Sequence, residues 1–295
     1  MWGIAVAGMT WYIATLSRQI TYVTLADGRR QERRLPIMFR LLLPLAPNFA
    51  RLINKTGLSR LRKSTERRIT SAGYEDLIST GEFLSLRLLC PLIIGAMWII
   101  LVSTSIQPEH NQLLNTIKPH IMLFGIVWLF MYPSMWLTRV LKDRHQSIGR
   151  SLPFVLDLLT LSVEAGMDFM SALQRNVDRA SIDALNEELI RVVREIQLGK
   201  TRRDSLKDLS ERVNLPDLRS VVNSLIQADE LGVSIGAILR IQADQMRQRR
   251  FERAEKLANE APVKMLGPLM FFIFPAVFII LMGPIVYRLM QQGIF

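Results

Sequence analysis

The hydrophobic residues of this chain are gathered into long uncharged runs, which alternate with stretches where charged residues recur. The longest run, residues 266–287 (LGPLMFFIFPAVFIILMGPIVY), has 22 residues without a charge. A helix of this length spans about 33 Å, which is enough to cross a hydrocarbon core of about 30 Å. Two further runs, 88–105 and 121–137, are joined by a short polar connection. The pattern predicts a C-terminal transmembrane helix at 266–287 and a transmembrane hairpin at 84–138.

The first 17 residues are also uncharged, and this length is the short limit for a membrane span. A secretory signal peptide fits poorly, because no basic segment precedes the apolar residues and no small-residue cleavage site follows before Arg18. We therefore treat residues 1–17 as a candidate N-terminal transmembrane segment. The expected number of spans is three to four.

Residues 151–260 have helical periodicity, without the alternation and β-branched enrichment of strands. Ser151 with a proline two residues later predicts a helix start, and Gly166 predicts the end of that helix. Similar signals predict further helices over 169–180, 184–198, 201–213, 216–231 and 234–260. The predicted fold class is therefore an all-α integral membrane protein that carries a cytoplasmic helical-bundle domain.

Two corners of this domain share a sequence pattern, since residues 164–173 read EAGMDFMSAL and residues 230–239 read ELGVSIGAIL. In both, a glutamate precedes a glycine that can adopt a positive φ, and an Asp or Ser that can cap the next helix follows. The pattern favours a pseudo-symmetric bundle. The candidate helix-corner or partner-contact residues are Glu164, Gly166, Asp168, Glu230, Gly232 and Ser234.

The last predicted span contains an unusual number of glycines and prolines for a helix. Either they allow close helix contact and kinks, or they reflect the ordinary tolerance of membrane helices for these residues. The candidates for packing or kinking are Gly267, Pro268, Pro275, Gly283 and Pro284.

The distribution of charge predicts the orientation of the chain. It has 37 Lys and Arg against 26 Asp and Glu, a net charge of +11, although 49% of its residues are hydrophobic. Residues 17–83 hold 13 basic and 6 acidic residues, 139–265 hold 21 and 19, and 104–119 hold one of each. Because basic residues accumulate on the cytoplasmic side, we expect 18–83 to be a basic cytoplasmic linker and the domain at 151–260 to be cytoplasmic.

The basic linker has two interpretations that fit it about equally well. Three prolines, Pro36, Pro44 and Pro47, exclude a long regular helix here. The apolar stretch between the arginine clusters suits a segment lying on anionic lipid headgroups, and a plain solvated linker explains it as well. Nucleic-acid binding is disfavoured, because aromatic residues are not interleaved with the basic ones.

Little in the sequence favours catalysis or cofactor binding. One Cys and three His exclude an internal disulfide and argue against a metal centre. Residues 199–201 (GKT) resemble the end of a phosphate-binding loop, but Arg194 occupies the position of the required glycine, within a helical pattern. A small transporter is also disfavoured, because the spans lack ionisable groups at mid-bilayer depth. We expect no enzyme activity, no cofactor and no metal.

The order of elements and three stretches of sequence resemble the type II secretion F domain family. These stretches are LPFVLDLLTLSVEAGMDFMSAL (152–173), ADELG (228–232) and RFERAEKLANEAPVKMLGPLMFFIFPAVFIILMGP (250–284). A single such domain in about 300 residues is similar to the tight-adherence (Tad) subgroup that assembles Flp pili, and to its TadC members more than to TadB. ITSAGYEDLISTGEFLSLRLL (69–89) also resembles that subgroup.

The resemblance implies a scaffold of the bacterial inner membrane, multi-pass and without catalysis. Such platform proteins work with a cytoplasmic secretion ATPase, a sister platform protein (TadB-like), pilin and membrane lipid, in homo- or hetero-oligomers. The ATPase-facing surface would then include the corner residues at 164–166 and 230–232. The alternatives are a platform of a type II secretion system, or a membrane-anchored basic regulator that binds lipid or nucleic acid.

Overall fold

The computed structural model describes residues 21–24, 30–33, 35–43, 59–105, 112–181 and 183–291. The candidate segment at 1–17 lies outside these residues. The chain forms two compact units, residues 1–240 and 241–295, which are described separately. In chain order the elements are β1 (Thr21–Thr24), β2 (Arg30–Arg33), α1 (Ile37–Leu42), α2 (Ser59–Ala72), α3 (Thr80–Leu89), a π-helical turn (Cys90–Ile94), α4 (Gly95–Ser105), α5 (Gln112–Glu164), α6 (Phe169–Arg179), α7 (Ala184–Gln197), α8 (Arg202–Val213), α9 (Pro216–Leu231) and α10 (Ile235–Gln291).

The predicted all-α fold class is confirmed. Within the described residues, the exception to helix is the antiparallel pair β1–β2, in which Thr21 lies opposite Arg33 and Thr24 lies opposite Arg30. This short ribbon falls in the region that we expected to be an irregular basic linker. Its first strand, TYVT, consists of residues with high β-propensity, whereas its second strand, RQER, is charged and carries no strand signal of its own.

Three helical stretches of the structure are long and apolar enough to cross a membrane, namely Thr80–Thr104, Ile117–Glu164 and Ile235–Arg288. They contain the three runs identified from the sequence, except for Ser105 at the end of the first run. The hairpin is formed by α3, the π-helical turn and α4, which pack against the first half of α5. The widened turn begins at Cys90, and Pro91 explains it, because proline has no N–H and its ring crowds the preceding turn of helix.

A tight contact joins the two arms of the hairpin near the middle of the apolar segment. A Cβ placed on Gly125 would overlap Nε1 of Trp98, so the indole ring occupies the space that a side chain would need. Small residues at such positions let membrane helices approach closely.

The described part of the basic linker is folded against the hairpin. On α1 and just before it, Leu35, Phe39 and Leu42 are buried, and Phe39 packs edge-on against Tyr132 and Trp136 of α5. The apolar side chains that we expected to face lipid headgroups or solvent therefore lie within protein. Helix α2 likewise packs on α5 and α8, so residues 59–72 belong to the folded unit.

The predicted helix start at Ser151 is wrong. Helix α5 runs unbroken from Gln112 to Glu164, and the Ser151 hydroxyl donates to the carbonyl of Ser147 instead of capping a new helix. Pro153 removes one backbone hydrogen bond without ending the helix. The reason is tertiary, because Arg144 and His145, just upstream, are tied to α7 and to the end of α8. A single helix therefore joins the membrane hairpin to the bundle.

The bundle consists of the last part of α5 with α6, α7, α8 and α9, in an up-and-down order with short connections. Each helix buries one face with a three- and four-residue spacing, as an amphipathic helix does. The core is formed by Leu152, Leu156, Leu159, Phe169, Leu173, Val177, Leu185, Leu189, Val192, Leu206, Leu209, Val213, Leu218, Val222 and Leu225. The predicted starts and stops of α6 to α9 agree with the structure to within one residue.

In the second unit, α10 continues without a break through residues 241–291. The sequence suggested one helix ending near residue 260 and a separate span from 266. Four prolines lie inside α10, among them Pro268, Pro275 and Pro284 of the predicted kink candidates. A Cβ placed on Gly267 or on Gly283 would have no atom of the described residues within 4 Å, so both positions are open.

Candidate functional site

Three helix corners meet at one end of the bundle, because α5, α7 and α9 all run toward that end and α6, α8 and α10 all leave it. The corners are residues 165–168, 198–201 and 232–234. We call this surface the corner end. A Cβ placed on Gly236 would lie 3.4 Å from Cγ1 of Val163, and the Arg202 guanidinium lies 5.8 Å from the centre of the Phe169 ring. Val163 and Phe169 flank the corner at 165–168, Arg202 follows the corner at 198–201 and Gly236 follows the corner at 232–234. The corner at 165–168 therefore lies beside both of the others.

The two corners identified from the sequence have the backbone that their glycines predict. Gly166 has a φ of +90° and Gly232 a φ of +64°, both in the left-handed region. The N–H of Met167 donates to the carbonyl of Ser162, and that of Val233 donates to Ala228, so each helix end is closed by its own backbone. These bonds turn the chain sharply at both places.

The candidate residues that follow the glycines begin the next helices. The Asp168 carboxylate accepts a hydrogen bond of 2.9 Å from the N–H of Met170 and caps α6. The Ser234 carbonyl accepts from the N–H of Ile238 at the start of α10. The structure therefore places all six candidate residues at two adjoining corners.

A third corner belongs to the same surface, and the sequence pattern did not bring it into the candidate site. Gly199 has a φ of +96° and ends α7. The signal that could have revealed it is a repeated Leu-Gly pair, since Leu198 and Leu231 each precede a corner glycine. Both leucines are 77% exposed, and Val233 beside them is 45% exposed. The corner end therefore presents apolar side chains to its surroundings.

The charged side chains of the corner end are paired locally. Glu230 lies 2.5 Å from Arg203, Glu164 lies 3.5 Å from Arg240, and Asp229 lies 3.6 Å from Arg202. Because these pairs are largely exposed, they add little to stability. The pairing leaves the surface nearly neutral. The two exposed leucines lie among these ion pairs, and a binding partner could exchange the ion pairs for contacts of its own.

The Gly-Lys-Thr sequence at the third corner is used for folding. Lys200 donates to Glu195 at 3.1 Å and also to Asp208. The hydrogen bonds to Asp208 and Glu195 raise the pKa of Lys200, and the bond from Lys200 lowers the pKa of Asp208. Thr201 caps α8 by accepting from the N–H of Asp204. This lysine is therefore bonded to two carboxylates within the bundle. A lysine that binds phosphate would need these donors for the phosphate oxygens.

A buried ion-pair network holds α5, α7 and α8 together at the side of the bundle. Arg144 donates to Glu187 and Glu188, each at 2.8 Å, and Glu188 also accepts from Arg212 at 3.2 Å. The side chains of Arg144 and Glu188 are only 8% exposed. Arg212 also reaches Glu195, at 2.8 Å. The sequence alone does not reveal this network, because its members lie on three different helices.

Within the described ranges, no group of three or more His, Cys, Asp or Glu is arranged to hold a metal ion. The candidate functional features of the bundle are therefore its corner end and the two helices, α5 and α10, that extend from it into apolar stretches.

Comparison with known proteins shows one family to which this bundle is similar. Residues 155–283 match the family model described as "Type II secretion system (T2SS), protein F". This segment is therefore similar to a T2SSF domain. The match begins in the last part of α5, contains α6 to α9, and ends inside the apolar part of α10. No curated protein and no solved structure gives a significant match to the chain.

The match supports the family resemblance found in the sequence. T2SSF domains are typical of the platform proteins of type II secretion and type IV pili. Proteins of this family are structural components of the membrane and generally work with secretion ATPases and other platform proteins. Together with the apolar helices, the domain supports a location in the inner membrane.

Replacing Gly232 by alanine should lower the free energy of unfolding by about 1–2 kcal/mol, because an L side chain disfavours the left-handed region. No atom of the described residues lies within 4 Å of the new Cβ, so the cost comes from the backbone alone. Gly149 is the matched control, since it has equal space but lies inside α5. Gly149→Ala should stabilise by about 0.5–1 kcal/mol. Urea unfolding in detergent, followed by circular dichroism, measures both, and equal effects would contradict the role of the corner.

Proposed function

We propose that this chain is the inner-membrane platform protein of a Tad (Flp) pilus assembly machine, of the TadC type. It couples a cytoplasmic secretion ATPase to the insertion or extraction of pilin. The observation that carries the proposal is the T2SSF domain at residues 155–283, built on helices that continue into membrane-spanning segments. No catalytic step is assigned to the chain, which acts as a scaffold.

The corner end is the surface that we assign to the ATPase. Helix α5 continues for 27 residues from Leu137, where the hairpin ends, to Glu164 at the first corner. At 1.5 Å per residue this distance is about 40 Å. The charge distribution favours a cytoplasmic position for the domain. The corner end would then project into the cytoplasm, within reach of a soluble ring assembly.

The single T2SSF match favours the Tad machine over a type II secretion platform. The family resemblance implies that classical platform proteins have two such domains. In this chain the family model matches once, at residues 155–283. A membrane-anchored basic regulator has less support, because the T2SSF match gives it none, although the cations of α2 stay exposed where this helix packs on the bundle. We expect the sister platform protein, pilin and further copies of this chain to contact the apolar helices.

A clean deletion of the gene in the host bacterium tests the proposal. The deletion should abolish surface pili and leave enzyme secretion intact, and the wild-type gene supplied in trans should restore pili. The purified protein should co-purify with a secretion ATPase and a second platform subunit. Normal piliation in the deletion strain would refute the proposal, and lost enzyme secretion with normal pili would assign the chain to type II secretion.

A further inference from the structure

A basic groove lies where the membrane hairpin meets the rest of the unit, and the proposed function does not use it. Its volume is about 660 Å³. One wall is Arg87 of α3, and the other is a single face of α5. The lining residues of α5 are Met131, Ser134, Met135, Thr138, Arg139, Lys142, Asp143 and Gln146.

The three cations of the groove have no carboxylate partner within the described part of the chain. Arg139 and Lys142 are exposed, and Arg87 is half-buried. The Arg87 guanidinium lies 4.5 Å from the centre of the Phe130 ring, and its Nε is buried without a hydrogen-bond partner among the described residues. The Phe130 ring therefore holds this guanidinium in place at the wall of the groove.

The lining of the groove changes from apolar to basic along α5, from Met131 to Lys142. Met131 and Met135 are about half exposed, and they lie within the last turns of the predicted span at 121–137. Arg139 and Lys142 follow immediately after that span, and Arg87 immediately precedes the other run at 88–105. The cations therefore lie at the depth where a hydrocarbon core gives way to lipid headgroups, and the methionines lie at the depth of acyl chains.

We propose that this groove binds the headgroup of an anionic phospholipid. The phosphate oxygens would accept hydrogen bonds from Arg87, Arg139 and Lys142, and the acyl chains would lie against Met131 and Met135. Arginine suits this task, because its planar donors match the oxygens of a phosphate. Ordinary arginines at the ends of spans extend singly toward water, whereas here three cations from two helices converge on one cleft.

The test uses the full-length protein, purified in detergent and titrated with phosphatidylglycerol, with the bound lipid counted by native mass spectrometry. Phosphatidylcholine with the same acyl chains is the comparison lipid. The wild-type protein should retain phosphatidylglycerol in preference to phosphatidylcholine. The variant Arg87→Gln/Arg139→Gln/Lys142→Gln should bind phosphatidylglycerol about a hundredfold more weakly, since each cation near a headgroup contributes about a fivefold gain in affinity.

A second triple variant removes the same charge from the bundle, at exposed cations without ion-pair partners among the described residues. It is Arg179→Gln/Arg194→Gln/Lys207→Gln, and it should bind phosphatidylglycerol as the wild type does. Lys142→Gln alone, at an exposed position that leaves folding intact, should weaken binding about fivefold. Circular dichroism checks the fold of each variant.

Three results would overturn the proposal. One is wild-type affinity in the groove triple variant, and another is an equal loss in both triple variants, which would mean that net charge alone attracts the lipid. The third is displacement of phosphatidylglycerol by inorganic phosphate, which would assign the groove to a free phosphate.

Discussion

Glu188→Ala is expected to lower the free energy of unfolding by about 3–5 kcal/mol, which is the usual cost of removing one partner from a buried ion pair. Glu188 is bonded to both Arg144 and Arg212, and these two arginine side chains are only 8% and 12% exposed. Removing the carboxylate leaves two cations inside the bundle with fewer acceptors. Arg144 keeps Glu187, and Arg212 keeps Glu195, so the loss stops short of unfolding the chain.

Two other glutamates on the same helices provide the controls for this measurement. Glu211 is exposed on α8 and has no ion pair in the described structure, so Glu211→Ala should change stability by less than about 0.5 kcal/mol. Glu187→Ala should have an intermediate effect, because Arg144 retains Glu188. Urea unfolding in detergent measures all three. A loss for Glu188→Ala as small as that for Glu211→Ala would show that the network contributes little to the bundle.

The double variant Leu198→Asp/Leu231→Asp is expected to weaken ATPase binding roughly a hundredfold, since apolar anchors at the centre of an interface each contribute about 1–2 kcal/mol. Both leucines are 77% exposed, so stability should be unchanged. Binding is measured by surface capture of the purified protein and titration with the co-purifying ATPase.

Exposed apolar residues elsewhere in the same unit provide the matched control. Phe154 on α5 is 64% exposed and Leu61 on α2 is 52% exposed, and both lie away from the corner end. Phe154→Asp/Leu61→Asp should leave the affinity unchanged. Equal loss in both double variants would refute the corner end as the ATPase surface. Loss in the control alone would move the contact to the side of the bundle.

The spans and the helix corners could be predicted because their causes are local. A run of 22 uncharged residues has few stable alternatives to a membrane helix. Gly166 and Gly232 end helices because they tolerate a backbone conformation that other residues avoid. Asp168 caps the next helix through a bond to a residue only two positions away. Each of these signals is contained within a few neighbouring residues.

What could not be predicted depends on distant residues. Ser151 followed by Pro153 is a sound local signal for a helix start, but contacts of Arg144 and His145 with α7 and the end of α8 hold α5 together across it. The docking of α2 and the ion-pair network have the same origin. The third corner could have been found, because Leu198-Gly199 repeats the pair at Leu231-Gly232.

The unbroken course of α5 has a mechanical consequence. A rigid arm of about 40 Å converts a tilt of about 5° at the membrane into a displacement of about 3.5 Å at its far tip. The stiffness of this arm is lowest near Pro153, where one backbone hydrogen bond of the helix is missing. A tilt of α5 inside the bilayer would therefore produce a translation at the corner end that grows in proportion to the length of this one helix.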